Sequence, residues 1–122
     1  MTDQDRRRYR FRAWSKRDRA MFDVISMARG GVVLEDNKIL KTCPREAVEL
    51  MQFSGLVDEA DTEIYEGDKV RLPNGKAVAK VVFEDGAFRL EADPGSDFNG
   101  CVLDDVFVSK NKLKVVGHIY ED

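Results

Sequence analysis

The feature that most constrains this fold is a run of alternating side chains on either side of Asp85-Gly86. Apolar residues recur there at every second position, a period of two that is typical of a β-strand with one buried face. Asp-Gly is favoured in two-residue type I′ hairpin loops, where both residues take positive φ. Such a loop pairs apolar residues across the two strands, namely Phe83 with Phe88, Val81 with Leu90 and Ala79 with Ala92. Because a slip of one residue would expose all of them, the sequence predicts a β-hairpin in this register.

Further short strands are predicted before and after this hairpin. Alternation of Tyr9, Phe11 and Ala13 with arginines predicts a first strand, and 21–25 is expected to return beside it after a polar turn over 15–19. A second hairpin is predicted from strands at 32–34 and 38–40 with the tip Glu35-Asp36-Asn37. Segment 43–53 is ambiguous: Pro44 can start a helix, and we favour a short helical turn at 44–48 running into a strand. The other predicted elements are strands at 67–72, 102–108 and 113–120, a turn at Pro73-Asn74-Gly75, and an exposed loop at 93–100.

Short strands separated by turns, without helices long enough for crossovers, indicate a mainly β fold. We expect a small SH3-like barrel or a barrel-like antiparallel sheet, with an N-terminal β-hairpin extension and at most one short helix. A chain of 122 residues fits one domain. The predicted organisation is a basic N-terminal arm at 1–8, which can be flexible, and a single β domain at 9–122.

Charge is distributed unevenly along the chain. The first 20 residues hold eight Lys or Arg and three Asp, a net charge of +5, so the remainder carries −8 of the total of −3. Such polarity predicts either a basic arm that meets an anionic partner, or one that lies against the acidic face of its own fold or of a neighbouring subunit.

Several protein classes receive no support from the sequence. No apolar run approaches the roughly 18 residues of a membrane span, and the N-terminus has no apolar signal core, so we expect a cytoplasmic protein without membrane contact. Cys43 and Cys101 lack nearby partners, which favours two reduced, partly buried thiols over a disulfide. No nucleotide or protease motif occurs, and neither an enzyme activity nor a cofactor or metal is expected.

One predicted strand face combines arginine with tryptophan. Arg8, Arg10, Arg12 and Trp14 would lie on the same side of the first strand. Arginines bind phosphates and tryptophan stacks on exposed bases, so this face is a possible nucleic-acid surface. The alternatives are a solvated face, an intersubunit face, or a tryptophan that belongs to the core, and an acidic body opposes nucleic-acid binding.

The corner formed by Tyr65, Glu66 and Asp68 is a second predicted binding site, because a rigid amphipathic ring lies beside carboxylates. A structural corner explains the same residues without a ligand: the ring is buried, Gly67 takes a conformation that other residues avoid, and Asp68 bonds turn amides.

Two further groups favour a structural interpretation. Asp58, Glu59, Asp61 and Glu63 are dense enough to suggest calcium, but their spacing misses the EF-hand pattern, so a solvated loop is expected. His118 is the only histidine, and a half-buried or exposed strand residue is favoured over a catalytic base.

Four segments together resemble a known family. These are Phe11-Arg12-Ala13-Trp14, Leu50 to Leu56, Ile64-Tyr65-Glu66-Gly67-Asp68 and Gly117-His118-Ile119-Tyr120-Glu121. The pattern resembles the YopX family of phage and prophage proteins over 11–121, although 25–49 carries no signature. The chain departs from the family at Asp58 to Thr62, where an Asp-Lys-Asn-Gly type turn is usual, and at His118, where asparagine is usual. The family has no established activity to transfer.

The resulting functional expectation is a prophage-type, non-enzymatic binding or assembly module. We expect a homo-oligomer, with another protein or a nucleic acid as a further partner. The alternative is a nucleic-acid-binding accessory protein that uses the basic N-terminal arm.

Overall fold

The computed structural model describes residues 10–73 and 77–121, which form a mainly β protein with antiparallel sheets and one short α-helix. They belong to two compact units, of which the first ends at Gln52 and the second begins at Phe53. The arm at 1–8, Tyr9 and the turn residues Asn74-Gly75 lie outside the described residues. The expectation of one domain over 9–122 stays a prediction.

The strands of the first unit are β1 (Phe11–Ser15), β2 (Ala20–Ala28), β3 (Gly31–Asp36), β4 (Ile39–Cys43) and the first half of β5 (Val48–Val57). They are antiparallel, in the spatial order β4-β3-β2-β1-β5. A three-residue 3₁₀ turn, Arg45–Ala47, follows Pro44 and leads into β5, as predicted. The N-terminal hairpin is also confirmed, although its second strand is longer than expected.

The hairpin of β3 and β4 is confirmed, but its predicted tip at Glu35-Asp36-Asn37 was wrong. Asp36 still belongs to β3 and pairs with Ile39, so the loop consists of Asn37 and Lys38. Their φ angles of 51° and 71° are those of a type I′ turn. This two-residue loop determines which backbone groups of β4 point toward β3 and which point away from it.

One face of the first sheet carries its core. Ala13 of β1 lies opposite Phe22 of β2 and Leu50 of β5, and residues in register share a face. The buried apolar residues of this cluster are Ala13, Val32, Leu34 and Val48. Arg12 and Trp14 alternate with Ala13 and therefore lie on the opposite face.

The further elements of the second unit are β6 (Glu63–Tyr65), β7 (Asp68–Arg71), β8 (Val78–Glu84), β9 (Ala87–Glu91), α1 (Asp105–Lys110) and β10 (Lys114–His118). They include a four-stranded sheet in the order β10-β7-β8-β9, while β6 pairs with the second half of β5. Among the described residues the ladders do not close into a barrel, so antiparallel sheets are observed rather than a closed SH3-like barrel.

The hairpin of β8 and β9 is confirmed in its predicted register. Asp85 and Gly86 have φ angles of 53° and 78°, and the strands pair Val81 with Leu90. Both of these side chains are fully buried. The rings at 83 and 88 are also paired, with centroids 4.9 Å apart, whereas the ladder ends before the expected pair at 79 and 92.

The strand predicted at 102–108 was wrong, because most of this segment is helical. Asp104 caps helix α1: its Oδ1 accepts a hydrogen bond of 2.7 Å from the Phe107 N–H. Val108 is buried, and the Phe107 ring contacts Phe98 at 6.2 Å between centroids. The cap and this packing outweigh the strand preference of the valines in the segment.

Candidate binding surfaces

The arginine and tryptophan face of β1 is present in the first unit. Arg10 immediately precedes the strand, and Arg10, Arg12 and Trp14 are all half-buried. Arg8, the fourth predicted residue of this face, lies outside the described residues. The structure thus brings three of the four predicted residues onto one strand face.

Acidic residues interrupt this face. In register with Arg12 are Asp23 on β2 and Met51 on β5, and in register with Trp14 are Met21 and Glu49. Glu49 also forms an ion pair of 3.2 Å with Lys16. Because carboxylates share the face with the arginines, its electrostatic potential is mixed rather than uniformly positive.

The predicted corner at Tyr65 is built as a structural turn in the second unit. The Asp68 side chain is only 1% exposed, and its Oδ2 accepts a hydrogen bond of 2.8 Å from the Tyr65 N–H. Gly67 has a φ of 88°, a conformation that glycine adopts without strain, and donates its N–H to the Val81 carbonyl. The structural features expected of this corner are therefore confirmed.

Burial limits what the corner offers to a partner. Tyr65 is buried and packs against Phe53, with ring centroids 5.3 Å apart. Asp68 is buried as described above, which leaves Glu66 as the half-exposed member of the three predicted residues. Tyr65 and Asp68 present little surface for a macromolecule to contact.

Asp58 was expected in a solvated loop, but it is a buried structural residue. Its Oδ1 accepts hydrogen bonds of 2.8 and 2.9 Å from the N–H groups of Ala60 and Thr62. Its Oδ2 accepts one of 3.0 Å from the Val115 N–H, 57 residues further along the chain. Residues 10–73 and 77–121 contain no group of three or more side chains placed to bind a metal. The Asp58 carboxylate joins the acidic loop to β10.

His118 is half-buried at the end of β10, as predicted. Its Nδ1 accepts a hydrogen bond of 3.2 Å from the Tyr120 N–H, and its Nε2 lies 3.1 Å from a Glu121 carboxylate oxygen. Both ring nitrogens thus contact neighbouring residues of the C-terminal turn. These contacts connect the end of β10 to the C-terminal turn.

The first unit contains a cavity of about 220 Å³ that the sequence did not indicate. Leu34, Val48 and Ala47 form part of its apolar wall, and Asp18 and Lys41 lie at its charged side. The sequence did not predict the pair of Asp18 and Lys41, because Asp18 lies in the turn between β1 and β2 and Lys41 lies on β4, 23 positions further along the chain. The only local signal is the spacing Ser15-x-x-Asp18, in which each residue can hydrogen-bond the other.

Asp18 is the centre of a small polar cluster. Hydrogen bonding by the Ser15 hydroxyl lowers the pKa of Asp18, the nearby charges of Lys41 and Arg17 lower it further, and partial desolvation opposes them. Lys41 Nζ lies 3.5 Å from Asp18 and 3.4 Å from Asp36, and 4.6 Å from the centre of the Phe22 ring. The positive charge of Lys41 is therefore balanced by two carboxylates of the same unit.

Both cysteines, Cys43 and Cys101, are free thiols and half-buried, as expected. Within the described part of the chain, no helix has both the length and the apolar character needed to span a bilayer.

Comparison with known proteins gives a family and a fold. The family described as "YopX protein" matches residues 10–122. No curated protein matches the chain in sequence. The crystal structure of protein EF1440 from Enterococcus faecalis is similar, with a TM-score of 0.66, 18% sequence identity, and coverage of 91% of this chain and 92% of that chain. At this identity the likeness shows the fold alone.

Proposed function

The chain belongs to the YopX protein family, and on that premise we propose that it is a non-enzymatic binding protein that acts by assembling with copies of itself. The sequence resemblance to phage and prophage proteins supports, as part of this proposal, a protein made and used in the bacterial cytoplasm. A further protein partner is compatible with this role.

The observation that carries the proposal is the division of charge between the two units. Residues 1–52 hold 12 Lys or Arg against 8 Asp or Glu, a net charge of +4. Residues 53–122 hold 8 against 15, a net charge of −7. Opposite net charges in two parts of the same chain favour attraction between copies of the chain, and they raise the rate of encounter.

The roles of several titratable side chains also support a non-enzymatic protein. Asp58, Asp68 and Asp104 accept hydrogen bonds from backbone N–H groups. His118 contacts Tyr120 and Glu121 through its two ring nitrogens. Acid and base catalysis requires such groups to converge on a substrate, whereas these stabilise turns, a helix end and the chain end.

Nucleic-acid binding through the basic N-terminal arm and the β1 face is the weaker alternative. Arg10, Arg12 and Trp14 favour it, but Asp23 and Glu49 lie at neighbouring register positions on that face. A carboxylate close to a phosphate repels it, which weakens binding. The contacts between arginines and phosphates that remain would depend strongly on salt.

Light scattering of the purified protein at two salt concentrations tests the proposal. At about 50 mM salt, where charge contacts act over more than about 10 Å, we expect a mass above that of the 13.9 kDa monomer. The difference between the measured mass and the monomer mass is expected to decrease at about 500 mM salt, where screening is strong. A mass of 13.9 kDa under both conditions contradicts self-assembly. Salt-sensitive retention of DNA, lost on combined substitution of Arg10 and Arg12 by alanine, would favour the alternative instead.

A further inference from the structure

Strand β4 forms an open edge of the first sheet. Within residues 10–73 and 77–121 it is the terminal strand of the order β4-β3-β2-β1-β5, with β3 as its only neighbour in that sheet. Two of its side chains, Ile39 and Leu40, are 67% and 60% exposed. An edge strand with exposed apolar residues is a template for pairing with another strand.

The hairpin register identifies the outward-pointing backbone groups of β4. Because the Asn37-Lys38 loop has two residues, the pair of Asp36 and Ile39 that closes it is hydrogen-bonded. Hydrogen-bonded and non-hydrogen-bonded pairs then alternate along the ladder. Leu40 and Thr42 occupy non-hydrogen-bonded positions opposite Glu35 and Val33. Their N–H and C=O groups point away from β3.

The residues on either side limit this edge to two donors. The next outward position before Leu40 is Lys38, which lies in the turn with a φ of 71° and is not extended. The next one after Thr42 is Pro44, which has no N–H to donate. A partner strand thus meets two N–H and two C=O groups, those of Leu40 and Thr42.

We propose that two copies of the chain pair through β4, antiparallel across a two-fold axis, with Leu40 of each copy opposite Thr42 of the other. This register uses both outward donors and both outward acceptors of each copy, giving four hydrogen bonds between the subunits. It joins the two first-unit sheets into one. The inference rests on the proposed self-assembly and adds a backbone contact that does not depend on charge, so the fall in mass at high salt is expected to stop at the dimer.

The side chains fit this register. Ile39 falls opposite the partner's Cys43, so an exposed side chain meets a half-buried thiol. Lys41 falls opposite the partner's Lys41 on the two-fold axis. Each Lys41 ammonium already lies 3.4–3.5 Å from the carboxylates of Asp36 and Asp18 in its own copy, which offsets the repulsion between the two lysines.

A second copy is favoured over another extended partner because the edge is self-complementary. An isologous contact places the same patch on both sides, and the two-fold relation matches the donors of Leu40 and Thr42 with the acceptors of the same two residues. The absence of an N–H at Pro44 ends the pairing at this point, so the contact is short and closed.

Thr42→Pro tests the inference. Proline removes the outward N–H of Thr42, and the β3 ladder of the same chain does not use that group, so the sheet itself is expected to stay intact. Thr42→Val is the matched control, because valine keeps the N–H and the β-branched shape. The association state of the three proteins is measured by sedimentation at about 500 mM salt. This salt concentration suppresses contacts that depend on charge alone.

The expected result is a dimer for the wild type and for Thr42→Val, and a monomer for Thr42→Pro with an unchanged circular dichroism spectrum. Assembly of the wild type at low salt only, or a Thr42→Pro dimer, overturns the β4 contact but leaves the proposed function standing. A wild-type monomer at both salt concentrations overturns both. If Thr42→Pro fails to fold, amide exchange in the wild type decides: slow exchange at Leu40 and Thr42 supports the contact, and fast exchange at both refutes it.

Discussion

Replacing Asp58 by alanine is expected to destabilise the second unit strongly. The carboxylate is 4% exposed and accepts hydrogen bonds from the N–H groups of Ala60, Thr62 and Val115. Alanine removes all three acceptor contacts at once. The half-buried Val115 N–H then loses its partner, whereas Ala60 and Thr62 are exposed and their N–H groups can bond to water.

The expected cost follows from these differences in exposure. A hydrogen bond to a charged group contributes about 1.5–3 kcal/mol, and an unsatisfied buried donor costs a similar amount. We assign about 2 kcal/mol to the Val115 bond and about 0.5 kcal/mol to each of the two exposed bonds. The total of about 3 kcal/mol is a large fraction of the stability of about 5–15 kcal/mol that domains of this kind possess.

Urea unfolding followed by far-ultraviolet circular dichroism measures this change. With a denaturant slope of about 2 kcal/mol per molar urea, the midpoint is expected to fall by about 1.5 M. Trp14, the only tryptophan, lies in the first unit, so its fluorescence provides a second probe that reports on that unit separately.

Asp58→Asn is the control. Asparagine keeps one carbonyl oxygen for Ala60 and Thr62 but presents an amide NH₂ to the Val115 N–H, so an intermediate loss of about 2 kcal/mol is expected. A change below about 0.5 kcal/mol for Asp58→Ala, typical of an exposed surface position, would refute the structural role. A rise in the wild-type midpoint on addition of calcium would also count against it.

Three further substitutions test other parts of the structure. Gly31→Ala is expected to lower the urea midpoint, because a Cβ at this position, where φ is 153°, would lie 2.5 Å from the Cys43 carbonyl oxygen; an unchanged midpoint would contradict the close approach. Asp104→Ala is expected to cost about 1 kcal/mol in the same assay by removing the cap of α1, and no loss would argue against the cap. The pKa of Asp18 is lower in the folded protein than its ordinary value near 3.8, so the ionised carboxylate stabilises the folded state above pH 3.8. This stabilisation is lost as the pH falls through the pKa of Asp18 in the folded state. Asp18→Asn should therefore flatten the decline of the melting temperature below about pH 4, and a decline equal to the wild type would exclude this contribution.

The parts of the fold that sequence predicted best are those in which several local signals agree. At Asp85-Gly86, turn chemistry and the alternation of apolar residues specify the same register, and Val81 and Leu90 are buried as that register requires. The Gly67 corner was predictable for the same reason, since glycine and aspartate next to a strand are typical of a tight turn: glycine adopts positive φ, and the aspartate side chain accepts hydrogen bonds from nearby backbone N–H groups.

The errors occur where non-local contacts decide. Valines at 102, 106 and 108 suggested a strand, but the Asp104 cap and the packing of Val108 produce a helix. Asp58 was assigned to solvent because its partner Val115 is distant in sequence. The cluster of Asp18 and Lys41 was missed likewise, since its contacts form only after two hairpins have folded.

Native mass spectrometry of an equal mixture of ¹⁵N-labelled and unlabelled protein at low salt tests the central claim, self-assembly, most directly. The account predicts species of mixed label, with masses that require at least two copies of the 13.9 kDa chain. Spectra with only the labelled and unlabelled monomers would contradict it.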